Sequence, residues 1–409
     1  MRENMEKQLN QAKNNMRNYG LDILRCLAMV MVVILHFLDK GDVLRNLADE
    51  GSFAASDHAA WILEAFCIVA VNCYMLLSGY FLKENSFKLS RLLGLVCKIW
   101  LYSVIVGIIG TSLGLQSDPV DTYYILRLIF PISMGTYWFM TAYIFFYILL
   151  PALGIAASRM NSRMMKILIV CLTAFHCIVK SVVPAQMSVD NRGMDVVWYI
   201  VLYFIAVYIR RFTVYGEAGA LETGNTVNSV SGKAAPAKKH GAAFWIILYL
   251  IFALLIYGEA MVLRAVYLKT GAMSYIINVS YAYNHIFALA ASVCLFVFFL
   301  VCRPGEKIGR IFAFLGKYSL GVYLLHENIS IRYAWEKLFT DGEISSVIAT
   351  FAIAVFAGIV VFIAGVIVDF AGTLLFGSLL KFLKKAPVFK SAFAALEKAD
   401  SIGACDGGK

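Results

Sequence analysis

Between Leu21 and Leu38 the chain is apolar at almost every position, yet this stretch carries Arg25 and His36. A run of that length is bilayer-sized, and inside lipid its backbone groups must be satisfied internally, which dictates a helix. Ionisable side chains in such a span are costly, so they are kept for a purpose. Their spacing adds a second constraint. Eleven helical steps of about 100° return to within about 20° of the starting direction, and they separate the two side chains by roughly 16 Å along the axis. Arginine towards one membrane surface and histidine towards the other, on a single stripe, is the arrangement that holds an anionic group at one end and moves protons at the other.

The rest of the chain repeats the membrane signal. With 61% hydrophobic and 15% charged residues, most of it belongs in lipid rather than water. Windows of about 20 apolar residues recur near 21–38, 59–82, 92–115, 137–157, 165–184, 195–209, 244–263, 281–302, 314–331 and 346–368. The expectation is an all-α integral membrane protein of about ten transmembrane helices, the sixth being the shortest.

Lys and Arg fall in alternate connections. They include Arg2, Lys7, Lys13 and Arg17, then Lys83, Lys88 and Arg91, then Arg159, Arg163 and Lys166. The pattern continues at Arg210, Arg211 and Lys233, at Arg303, Lys307 and Arg310, and at Lys381, Lys384, Lys385 and Lys390. Asp39, Asp42, Asp49, Glu50 and Asp57 mark the opposite side. The positive-inside rule then places both termini in the cytoplasm of a multi-pass protein of the cell membrane. The net charge of +10 is mostly topological, with inner-leaflet membrane lipid as its partner and no nucleic acid.

Residues 1–20 are polar and are expected to form a retained cytoplasmic segment, not a cleaved signal. The domain proper is expected over 21–383. A flexible cytoplasmic linker rich in Gly, Ala, Ser, Asn and Thr spans about 215–241. A loosely ordered basic tail is expected over 384–409. The nine cysteines, among them Cys26, Cys67, Cys73, Cys171, Cys177 and Cys294, are scattered through apolar spans and read as packing residues. No metal site is expected.

Four pieces resemble, in order and spacing, the membrane acyltransferase family 3. They are Leu21-Asp22-Ile23-Leu24-Arg25 with His36 beyond it, Leu77-Ser78-Gly79-Tyr80-Phe81-Leu82, Tyr137-Trp138-Phe139-Met140 with Tyr147 and Pro151, and Tyr318-Ser319-Leu320-Gly321-Val322-Tyr323-Leu324-Leu325-His326. The resemblance implies an integral membrane O-acyltransferase with no bound cofactor. Such an enzyme moves an acyl group, commonly acetyl, from cytoplasmic acyl-coenzyme A to a hydroxyl of an extracytoplasmic glycan or lipid-linked sugar. It also implies functional roles for Arg25 and His36.

Taken singly, the residues carry paired readings. His36 is either a general base for an attacking hydroxyl or an interfacial histidine bonded to a loop carbonyl. Arg25 either forks onto coenzyme A phosphates or snorkels beside Asp22, its i,i+3 neighbour, and the two are compatible. His326 is expected at the depth of His36, with Glu64 as a carboxylate that orients an imidazole. Glu259 and His285 lie near outer ends of their spans, as acceptor contacts or as ordinary interfacial residues. Ser78 and Asn72 line a passage for the pantetheine arm or bond neighbouring helices, and Gly79 permits close helix approach. Trp138 belongs to an aromatic belt, and the resemblance makes it an acceptor-side contact. Arg127 is a surface arginine on a short surface or re-entrant helix. The rival function is a polytopic transporter or exporter of a sugar or acyl compound, for which buried ionisable residues are also typical. The lack of visible inverted repeats speaks against it.

Overall fold

The computed structural model describes residues 17–82, 87–182, 191–214, 241–271, 276–339, 344–385 and 387–402. The expected N-terminal segment before Arg17 and the linker over 215–240 lie outside the described residues. The elements are α1 (Tyr19–Lys40), α2 (Ala55–Cys67), α3 (Ala70–Phe81), α4 (Leu89–Ser112), α5 (Thr122–Ile129), α6 (Trp138–Arg159) and α7 (Ser162–Thr173). They continue as α8 (Val196–Tyr208), α9 (Ala242–Thr270), α10 (Ile286–Val301), α11 (Glu306–Lys317), α12 (Ser319–His326), α13 (Trp335–Phe339), α14 (Val347–Lys385) and α15 (Pro387–Ile402). No strand occurs among the described residues. Among the described residues, nine helices, α2 and α3 counted together, are long and apolar enough to cross a membrane, and there are ten when the bent pair α11–α12 is taken as one span.

α1 sits in the middle of the bundle. It packs against α2, α3, α10, α11, α12 and α14, and a helix that is apolar nearly all round is one that neighbours surround. Its start is fixed by Asn18, whose side chain accepts from the Gly20 amide at 3.1 Å and donates to the Leu300 carbonyl at 2.9 Å. α4 and α9 lie at the rim with large apolar side chains facing outward, among them Ile105, Ile108, Ile247 and Leu254. That is the pattern of a surface in contact with lipid. α3 approaches α8 closely at Gly79, where a Cβ would come within 2.9 Å of the Ala206 side chain and 3.1 Å of the Tyr203 backbone.

Two elements differ from expectation. The ninth span is not one straight helix over 314–331; it begins at Glu306, bends by 42° and ends at His326. The helical ladder breaks at Tyr318, where the Ser319 hydroxyl takes up the Gly316 carbonyl at 3.0 Å, a local bond that competes with the backbone ladder. The tail, expected to be loosely ordered from about Lys384, is helical as α15. Arg127 does lie on a short helix, α5, and pairs with Asp118 at 3.2 Å.

Candidate functional site

A cavity of about 1050 Å³ runs along α1, and both Arg25 and His36 line it. The co-facial placement read from their spacing is therefore realised on one wall. Ser78 and Trp138 also line the cavity; Asp22, Glu64, Glu259, His285 and His326 do not.

At the His36 end, α1 meets the end of α12. His36 Nδ1 lies 2.9 Å from His326 Nε2 and 3.3 Å from Glu327 Oε1. His326 Nδ1 is 2.6 Å from the Val322 carbonyl, which can only accept, so that nitrogen carries the proton. His326 Nε2 is then an acceptor in the neutral ring, and His36 Nδ1 donates towards it or towards Glu327. The remaining lone pair of His36 sits on Nε2. Because His326 and Glu327 stand outside the cavity wall while His36 forms part of it, that lone pair is directed into the cavity. Lys40, one turn beyond His36, contacts the Glu327 carboxylate and offsets the cost of burying it.

Glu327 thus occupies the place expected for Glu64. Glu64 Oε2 is buried without a hydrogen-bond partner and does not reach either histidine. The sequence offered Glu327 as a signal only through its adjacency to His326. Inside a continuous helix, neighbours point about 100° apart; α12 ends at His326, and the turn lets both side chains converge on His36.

The Arg25 end is basic. Arg91 from α4 and Lys317 from α11 join Arg25 in the lining; Arg91 stands among the loop charges of the sequence analysis, and Lys317 is not singled out there. Asp22 holds Arg17 through two bonds of 2.7 and 2.9 Å and Arg25 more loosely at 3.4 Å. Arg25 also lies 5.5 Å from the Phe81 ring centroid, while the Tyr74 hydroxyl donates to its carbonyl at 2.8 Å. Asp22 therefore anchors the arginine from behind. Its carboxylate is fully engaged, which leaves the outer side of the guanidinium open to the cavity.

Other expected site residues fall elsewhere. His285 caps the start of α10, and its Nε2 is 3.3 Å from Glu259 Oε2; the two form their own pair. Asn72 accepts from Trp198 Nε1 at 2.9 Å and donates to the Tyr283 carbonyl at 2.8 Å, which makes it a packing residue. Trp138 does face the cavity, stacked on Tyr283 at 5.7 Å between centroids. Arg25, His36, Ser78 and Trp138 come from three of the four pieces quoted above, with the fourth carried by Ser319, Leu320 and Tyr323. The family model described as an acyltransferase domain, Acyl_transf_3, matches residues 18–370. The chain belongs to the acyltransferase 3 family. No curated protein and no solved structure matches it in the other two comparisons.

In this acyltransferase 3 protein, His36 Nδ1, His326 Nε2 and a Glu327 oxygen lie within 4.8 Å of one another, a donor set that metals use. Here the Lys40 ammonium on the same carboxylate already supplies the neutralising cation. An imidazole so placed can take up and release a proton: one nitrogen faces the cavity, and the other is held by acceptors behind it.

Proposed function

We propose that the protein transfers an acyl group, acetyl in the simplest case, from cytoplasmic acyl-coenzyme A to a hydroxyl of an extracytoplasmic glycan or lipid-linked sugar. The observation that carries this reading is the single cavity with three cations at one end and the open nitrogen of His36 at the other. Coenzyme A is too polar to cross a bilayer, whereas its acyl-bearing arm is thin. The phosphates stay with Arg25, Arg91 and Lys317, where a guanidinium fork matches phosphate oxygens. The arm extends past Ser78 and Tyr74 along α1.

At the far end His36 Nε2 takes the proton of the acceptor hydroxyl as its oxygen attacks the thioester carbon. Collapse of the tetrahedral intermediate breaks the carbon–sulfur bond, and the proton passes from His36 to the departing thiolate. Glu327 and His326 hold the imidazole by Nδ1 and stabilise its charged form, as a carboxylate does in other acid/base sites. Trp138 and Tyr283 offer flat apolar faces to a sugar ring.

The test follows free thiol released from acetyl-coenzyme A by purified protein given envelope glycans. Release should require acceptor and should vanish in His36→Ala while the protein stays folded. Arg25→Ala should raise the KM for the donor before kcat moves. Solute flux in proteoliposomes without thiol release would instead mark a transporter.

A further inference from the structure

The Glu327 carboxylate serves His36 only from the place it occupies, and no helix periodicity puts it there. α12 is eight residues long and stops at His326, so Glu327 opens a turn rather than extending a helix face. Its carboxylate meets His36 and Lys40, both on α1. Whatever fixes the turn therefore decides whether charge and ring come together.

The next residue is Asn328, which is fully buried. Its Nδ2 donates towards the Tyr102 and Ser103 carbonyls of α4 at 3.3 and 3.1 Å, and to the Tyr137 hydroxyl at 3.1 Å. Its Oδ1 accepts from the Ser330 amide at 3.0 Å and from the Ser330 hydroxyl at 2.7 Å. The Asn328 backbone carbonyl accepts the Ile331 and Arg332 amides at 2.9 Å each, and its amide donates to the Leu325 carbonyl at 3.3 Å. The Tyr137 hydroxyl passes the tie on by donating to the Leu324 carbonyl at 3.2 Å, in the last turn of α12. One side chain thus joins α4, the residue before α6 and the chain on both sides of Glu327.

Two amide hydrogens and two carbonyl lone pairs are what this place uses. Aspartate has no donor for the α4 carbonyls, and leucine has neither donor nor acceptor. A buried network satisfied at every member holds one arrangement and rigidifies it. Groups that act on a reacting centre need that, because their geometry must be kept to within about 0.5 Å.

We propose that Asn328 is a positioning residue for the acyl transfer: it clamps the turn after α12 to α4 and Tyr137, and so sets Glu327 against His36 Nδ1. This rests on the reading of His36 as the base. Asn328 does not line the cavity, and its effect reaches the chemistry through the carboxylate.

The test follows acceptor-dependent thiol release from acetyl-coenzyme A in Asn328→Ala, alone and combined with Glu327→Gln. In the single variant kcat should fall about 10²-fold, the scale of a catalytic group displaced by about 1 Å. The KM for the donor should move by less than about threefold. The double variant should match Glu327→Gln to within about threefold, because a side chain without its charge gains nothing from being placed. Losses that multiply in the double variant would mean that Asn328 supports the bundle irrespective of Glu327, and would overturn the proposal. An unchanged kcat would overturn it too, as would a fall in kcat matched by an equal rise in donor KM. Should Asn328→Ala show no melting transition, Ser330→Ala decides. It removes the hydroxyl from Oδ1 and keeps the amide contact, so kcat should fall about three- to tenfold, again without multiplying the effect of Glu327→Gln. Full activity or a multiplying loss there would sink the idea. His36→Ala tells which reading fails. Retained thiol release in that variant strikes at the base, and the role of Asn328 goes with it. An inert His36→Ala with multiplying losses at Asn328 and Glu327 strikes only at the positioning.

Discussion

An imidazole serves as a base only while its ring is held with the lone pair on the reacting side, and three groups hold His36 in that way. Glu327 supplies the charge, His326 the second acceptor, and the Val322 carbonyl fixes the tautomer of His326. Glu327→Gln keeps the size and removes the charge, so kcat should drop by about 10²- to 10⁴-fold with little change in donor KM, as for other orienting carboxylates. Glu64→Gln, followed in the same thiol-release assay, should stay within a few-fold of the original. The opposite ranking would return the orienting role to Glu64. The Arg25–His36 stripe was legible in the sequence because helical spacing alone fixes it. The Glu327 contact was not, because it depends on where α12 stops, and no periodicity announces that end.

Among the elements, α4 and α15 meet at the basic end of the cavity. Lys88 gives α4 no side-chain cap; instead Asp400 of α15 accepts from the Ser90 amide at 3.1 Å and from the Ser90 hydroxyl. Ser90 precedes Arg91, so the end of the chain steadies a residue that lines the cavity. Asp400→Ala should raise the KM for acyl-coenzyme A about three- to tenfold, the scale of losing a cap, and leave kcat nearly unchanged. The Ser90 hydroxyl and amide also hold the Asp400 carboxyl below its ordinary value. A carboxyl lowered in the folded state adds stability above its unfolded pKa, near 3.9, and loses that contribution as pH falls through the lowered value. Melting temperatures of wild type and Asp400→Ala should therefore differ at neutral pH and converge in acid. The ten apolar windows named the membrane helices well, since lipid imposes a helix wherever such a window occurs. The bend at Tyr318 escaped because one hydroxyl–carbonyl bond causes it. The fold of α15 escaped because its partner lies 310 residues away in sequence.

For the whole molecule, what matters is which way the two-ended cavity faces. The Arg25 end gathers the ends of several helices: Arg210 donates to the Tyr80 and Leu82 carbonyls at 3.0 Å each, and Asn18 joins the start of α1 to the end of α10. Arg91, Arg303, Lys307 and Arg310 belong to the same end, whereas Asp42, Asp49, Glu50 and Asp57 follow the His36 end of α1. Positive charge is retained in the cytoplasm during insertion, and the donor proposed above, acyl-coenzyme A, is found on that side, so the charge pattern and the proposed chemistry predict the same orientation. The check uses two cysteines placed in a background with Cys97, Cys171, Cys302 and Cys405 changed to Ser. Ser52→Cys sits in an exposed loop at the His36 end, and Gly305→Cys sits where a side chain meets open space before α11. A membrane-impermeant maleimide should label the first in intact cells and the second only after permeabilisation. The reverse pattern would put the three cations outside, away from any acyl-coenzyme A, and the direction of transfer argued from the cavity would be lost.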